Sequence, residues 1–156
     1  MLETIRRESG FTLLEVMIVV AIIGIASAIA IPNFIEWKAQ YDLREAVSGL
    51  SSNLNLARVV AMNRNRQATV TIQVGAGGLI DVSGNAGGTS IFGPHTLHRN
   101  VTGLPGGTTN VLFSSMGLSA ATANQVIQIA NAKGLVYSVL VMPSGKVTWC
   151  TTSACP

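Results

Sequence analysis

Three hydrophobic periodicities follow one another along the chain. From Phe11 to Ile35 apolar residues run almost without interruption. As helix, such a stretch reaches roughly 37 Å, enough to cross a bilayer core with some tilt. Apolar residues then recur at alternating steps of four and three, as Leu43, Val47, Leu50, Leu54, Ala57 and Ala61, with Ala46 and Val60 beside them. Between them stand Arg44, Glu45, Ser48, Ser51, Ser52, Asn53, Asn55 and Arg58, so this stripe is one-sided and predicts an amphipathic helix. The two stretches read as one long helix, apolar all round and then on one face, which Asn63-Arg64-Asn65-Arg66 brings to an end.

From Gln67 the period becomes two. Ala68, Val70, Ile72 and Val74 alternate with Thr69, Thr71 and Gln73, a half-buried strand that stops at Gly75-Ala76-Gly77-Gly78. Leu79 to Val82 is its expected hairpin partner, followed by a glycine-rich turn from Gly84 to Thr89. Further strands are predicted at Val111 to Ser114, Gln125 to Ala130, Leu135 to Met142 and Lys146 to Cys150. Asn131-Ala132-Lys133-Gly134 and Pro143-Ser144-Gly145 supply the turns between the last three. Segment 84–107 shows no resolvable period and reads as loop. The fold class is α+β, a long N-terminal helix on antiparallel strands.

Composition changes this picture little. The 156 residues suit one modest soluble domain once the apolar stretch is set aside. Charged residues make up only 11% and the net charge is +3, a balance that neither demands nor excludes an acidic partner. Two cysteines, Cys150 and Cys155, close the chain. A C-x4-C pair with no His or further Cys beside it cannot fill a four-ligand zinc site, and a terminal disulfide loop suits it better. Such a bridge needs an oxidising compartment, which would put the globular part outside the cytoplasmic face.

Nothing in the sequence assembles a catalytic, metal or cofactor site. His95 and His98 lack the intervening acid of H-E-x-x-H and a nearby third ligand, and read as loop histidines. Gly84 to Ser90 lacks the G-K-[ST] ending of a phosphate loop, and no G-x-S-x-G elbow occurs. No enzyme is expected.

One residue stands out against its surroundings. Glu15 is the only ionisable side chain between Phe11 and Ile35. A carboxylate at the centre of a membrane helix costs roughly 2.5–3.5 kcal/mol on insertion scales, so it is kept for a purpose. The residues before it are short and polar. No A-x-A type cleavage site follows the apolar run, which continues into Ile31-Pro32-Asn33-Phe34, so the segment is not an ordinary secretory signal. Gly10-Phe11-Thr12-Leu13-Leu14-Glu15 resembles the processing site of type IV pilins and type II secretion pseudopilins. The resemblance implies a cut after Gly10 by a prepilin peptidase, N-methylation of Phe11, and Glu15 as fifth residue of the processed chain. It divides the chain into a leader at 1–10, a membrane and assembly segment at 11–35 and a globular domain at 36–156.

Leu56-Ala57-Arg58-Val59-Val60-Ala61-Met62-Asn63-Arg64, Phe113-Ser114-Ser115-Met116-Gly117 and Pro143-Ser144-Gly145-Lys146-Val147 are similar to the H-type pseudopilin and FimT-like minor pilin group, in which a long helix lies on two small sheets. The implied partners are other pilins or pseudopilins, an inner-membrane assembly platform, and lipid before assembly. Within such a filament Glu15 would attract the amine of the adjoining subunit and set its axial register. A proton-relay role is opposed by the lack of a second intramembrane acid, His or Lys.

Two further features of the apolar stretch have double readings. Gly24 with Ala28, and Ala21, Ala26 and Ala30, place small residues at close-packing spacing, which is also ordinary membrane composition. Pro32 cannot donate a helical hydrogen bond. It marks a weak point that extends in resembling filaments, or a simple kink. The implied role is a minor pilin or pseudopilin subunit of the priming or tip complex; the alternatives are a FimT-like DNA-binding minor pilin, with Arg58, Arg64, Arg66 and Lys146 as candidate contacts, and a major pilin, which the downstream similarity disfavours. The three arginines equally complement a helix end and a solvated face. Lys146 is the only cation after Gly145, so any binding is expected to be weak.

Overall fold

The structure, a computed structural model, describes residues 10–106 and 109–155. It divides into two compact units, Met1–Trp37 and Lys38–Pro156. Helix α1, Leu13–Asn63, contributes to both, and Pro32 lies inside it without ending it. Most of the expected leader, residues 1–9, lies outside the described residues.

In the first unit none of the described residues covers the helix. Its most apolar 18-residue window has a mean hydropathy of 2.7 and no buried residue, so by length and composition it can cross a membrane. Phe34 and Trp37, one turn apart, hold their ring centroids 6.1 Å from each other at the end of the apolar stretch. Aromatic residues favour this position, at the level where a bilayer meets water.

In the second unit the expected stripe is buried: Leu43, Ala46, Val47, Leu50, Leu54, Ala57 and Ala61 pack against two antiparallel sheets. The strands among the described residues, numbered in chain order, are β1 (Ala68–Val74), β2 (Ile80–Ala86), β3 (Thr89–Thr96), β4 (Val101–Gly103), β5 (Thr109–Phe113), β6 (Gln125–Asn131), β7 (Val136–Val141) and β8 (Val147–Cys150). Sheet A has the order β3-β2-β1-β5 and sheet B the order β4-β6-β7-β8. Ala68, Val70 and Ile72 of β1 face the core with Ile80 and Val82 of β2 and Val111 and Phe113 of β5. Ile127 and Ile129 of β6 and Tyr137, Val139 and Val141 of β7 do the same for sheet B.

The structure corrects the sequence reading in the middle of the chain. Gly84-Asn85-Ala86 is not a turn but the end of β2, and the segment read as loop contains β3 and β4. The turn is only Gly87-Gly88, both with positive φ (56° and 84°), closing a two-residue hairpin between Ala86 and Thr89. Such hairpins need left-handed residues at both central positions, which glycine supplies at least cost. Gly84 has a packing reason instead. It pairs with Phe92 across the ladder, and a Cβ there would approach the Phe92 ring within 2.6 Å. A strand whose inward position must be glycine loses its alternation, so periodicity missed it. His95 accordingly belongs to β3, and only His98 lies in a loop. Ser51, read as part of the solvent face, is buried at the flank of the helix stripe.

Candidate assembly site

Helix α1 begins in a capped turn. The Thr12 carbonyl accepts from the Glu15 and Val16 amides at 3.1 and 3.3 Å, and its Oγ1 also accepts from the Glu15 amide at 3.2 Å. Thr12 is therefore the N-cap and Glu15 the third helical residue, half of the T-x-x-E capping box. In lipid, where no water can satisfy the first amides of a helix, such a cap has added weight. Threonine three residues before an acid and an apolar run is the sequence signal for such a cap. The Glu15 carboxylate itself has no hydrogen bond or ion pair among the described residues. A negative group in the first turn suits the helix dipole.

Around this turn everything is exposed. Phe11 is 84% accessible, and a Cβ added to Gly10 or to Gly24 would meet nothing within 4 Å. Neither glycine is required by packing among the described residues. Pro32 leaves the helix uninterrupted, and the Asn33 side-chain Nδ2 donates back to the Ile29 carbonyl at 3.4 Å.

The other candidate residues lie in the second unit. Cys150 and Cys155 are bridged, with Cα atoms 5.7 Å apart. The loop they close folds over the outer face of sheet B along one rung, Gln128–Ser138–Cys150. There, Ser138 Oγ donates to the Thr152 carbonyl at 2.8 Å and Gln128 Nε2 to the Ser153 carbonyl at 2.7 Å. Ser138 is fully buried, so the bridge holds the tail where it satisfies an interior hydroxyl.

Two of the four candidate cations are engaged by backbone carbonyls of the domain. Arg58 Nε donates to the Gly117 carbonyl at 2.9 Å and Nη2 to the Ser144 carbonyl at 3.4 Å, tying α1 to two turns. Gly145 must be glycine for this: its φ is 77°, and a Cβ would collide with the Gly117 carbonyl. Arg66 Nη1 donates to the Gly87 carbonyl at 3.4 Å. Arg64 and Lys146 are exposed.

One cluster was not foreseen. Asp42, 4% exposed, accepts from Asn100 Nδ2 at 2.6 Å, with Lys38 and His98 each 3.7 Å away and Glu45 3.9 Å from His98. It ties α1 to the loop between β3 and β4. A lone acid before Leu43 gives no sequence signal for this. No group of three or more His, Cys, Asp or Glu among the described residues is arranged to hold a metal.

A capped, wholly exposed apolar helix with a lone acid, continuing into a helix-on-two-sheets domain, defines a pilin-like subunit. Comparison with known proteins agrees. The prokaryotic N-terminal methylation motif matches residues 5–31 and the family model described as Type II transport protein GspH matches residues 46–145. The chain belongs to this GspH family of pilin-like subunits. It is 41% identical over 64 residues to the Type II secretion system core protein G of Aeromonas hydrophila, covering 41% of this chain and 45% of that protein. It is 42% identical over 69 residues to the Type IV major pilin protein PilA of Myxococcus xanthus, covering 44% and 31%. The chain thus spans less than half the length of these relatives. Its fold is similar to that of the type IV minor pilin FimU of Pseudomonas aeruginosa, with a TM-score of 0.55 at 16% identity, covering 77% of this chain and 96% of that one. Pilins and pseudopilins are structural subunits, not enzymes, which agrees with the sequence reading.

Proposed function

We propose that the chain is a minor pilin or pseudopilin subunit that a prepilin peptidase cuts between Gly10 and Phe11. Its N-terminal helix then assembles it into a type IV pilus or type II secretion pseudopilus, in the priming or tip complex. The observation that carries this reading is the Glu15 carboxylate, in the first turn of an apolar helix, with neither a partner for the charge nor a cover for the helix among the described residues. A charge in that position calls for a counter-charge from outside the subunit, and the methylated amine of a neighbouring Phe11 meets the requirement. Open space around Gly10 and Gly24 supports the same reading, since the need for small residues there then comes from the peptidase and from neighbouring helices. Lipid covers the helix before assembly, the inner-membrane platform receives it, and the disulfide-bearing domain faces the periplasm or exterior. The segment around Pro32, helical in the isolated subunit, is the place where assembly would extend the chain.

Intact-mass measurement of the protein from membranes or sheared filaments of a native host tests the processing step. The expected species lacks residues 1–10 and carries one added methyl group. A mature terminus near Ala30 would refute it. The DNA-binding alternative gains no support from the candidate cations, two of which already donate to carbonyls of the domain.

A further inference from the structure

Where helix α1 enters the second unit, two loops are fastened to its first turn there, each by an asparagine. Asn100, between β3 and β4, donates through Nδ2 to Asp42 at 2.6 Å, and Asn131, at the end of β6, donates through Nδ2 to the Ala39 carbonyl at 3.5 Å. The two loops are also neighbours of each other, since Val101 pairs with Asn131 across the ladder of β4 and β6. Asn131 Oδ1 accepts from the Lys133 and Leu135 amides at 3.0 and 3.1 Å, which fixes the shape of the turn that carries Lys133.

Each fastened loop holds an exposed cation close to its asparagine, Arg99 in one and Lys133 in the other, and Lys38 on the helix is a third. Neither the Arg99 guanidinium nor the Lys133 ammonium has an ion pair or hydrogen bond among the described residues. The acids of this region do not cancel the charge. Asp42 is 4% exposed and already held by Lys38, His98 and Asn100, Asp81 accepts from Thr96 at 2.8 Å, and Glu45 lies beside His98. Glu36 and Arg44, both exposed, offset each other.

Ala39 follows Trp37 by two residues, so the backbone keeps this fastening point within about 7 Å of Trp37 at any inclination of the helix. Phe34 and Trp37 mark the level where a bilayer meets water. The charge of a headgroup layer acts over about 8 Å at physiological ionic strength, and the long stems of Lys38, Arg99 and Lys133 add to that reach.

We infer that Lys38, Arg99 and Lys133 form a surface for anionic phospholipid headgroups, which the two fastened loops contact before the subunit enters a filament. The occupant is the headgroup phosphate of the leaflet into which the apolar helix runs, because the chain itself brings that layer to these residues and its sign is opposite to theirs. This step rests on the membrane reading of the helix proposed above.

Lysine acetylation of the full-length protein in lipid nanodiscs, followed residue by residue by mass spectrometry, tests the inference. When phosphatidylglycerol replaces about a third of the phosphatidylcholine, Lys38 and Lys133 should react roughly threefold more slowly, and about 0.5 M sodium chloride should abolish the difference. Lys146, between β7 and β8, should react at an unchanged rate. Arg99→Glu should weaken the slowing at Lys133 with the melting temperature unchanged, and Arg99→Lys should retain it. Equal rates in the two lipid compositions, or a slowing of Lys146 as large as that of Lys133, overturn the inference while leaving the membrane helix standing. Failure of the protein to enter nanodiscs overturns both. The same slowing produced by inorganic phosphate in discs of phosphatidylcholine alone assigns the surface to a free anion and overturns the choice of lipid.

Discussion

From Leu13 to Trp37 helix α1 exposes large apolar side chains in every direction, whereas from Asp42 to Ala61 the same helix hides one face completely and shows water the other. Backbone geometry is the same in both stretches. The difference lies in where each finds its partner. The second half buries Leu43, Val47, Leu50 and Leu54 against strands of its own chain, so its apolar residues contribute to folding. The first half has no such strands, and its apolar residues can contribute only once lipid or another subunit covers them. Glu15 and Asp42 repeat the contrast in charge. Asp42, buried, is surrounded by Lys38, His98 and Asn100 from its own domain. Glu15 has no counterpart among the described residues.

This contrast predicts that substitutions in the two halves fail in different assays. Glu15→Val should produce the largest effect: processed protein at normal levels in membranes, but co-purification with filament partners reduced more than tenfold. Quantitative mass spectrometry of detergent extracts measures both, and undiminished assembly would show that Glu15 is not the docking charge. Leu50→Ala should do the reverse. Truncating a fully buried leucine costs about 2–5 kcal/mol, so the melting temperature followed by near-ultraviolet circular dichroism should fall by on the order of 10 °C, with cleavage after Gly10 unchanged. If Leu50→Ala left stability intact, the packing of the helix on the sheets would be wrong.

The smaller effects sharpen the comparison within the globular domain. Replacing Cys150 and Cys155 together by serine should cost about 2 kcal/mol or less, because a loop this short loses little freedom when closed. The loss should be local. Peptides covering Gln128, Ser138 and the tail should exchange faster, with the helix stripe unaffected. Alkylation of the unreduced wild-type protein should find no free thiol. The smallest expected effect is on DNA: an electrophoretic mobility titration at physiological salt should show weak, salt-sensitive binding at most, since Arg58 and Arg66 donate to backbone carbonyls. Tight binding abolished by Lys146→Ala would reverse that expectation and make DNA capture the leading function.

The processing motif, the long helix and its buried stripe, the strands at 68–74, 125–131, 136–141 and 147–150, and the terminal disulfide were all legible in the sequence. Each is a local matter, set by spacing within a few turns or by residue types that tolerate one environment. The Thr12 cap is legible in the same way, from its spacing to Glu15. What required the tertiary structure is contact between distant residues. Strand β5 joins β1 rather than β6, although 34 residues separate Val74 from Thr109. Arg58 reaches a carbonyl 59 positions away, and Asp42 meets Asn100 across 58. Periodicity reports only which face of an element is apolar; it does not say which element that face will meet. Gly84 shows the limit most directly, because a glycine reads as a turn until the Phe92 ring lying across it reveals that the strand continues.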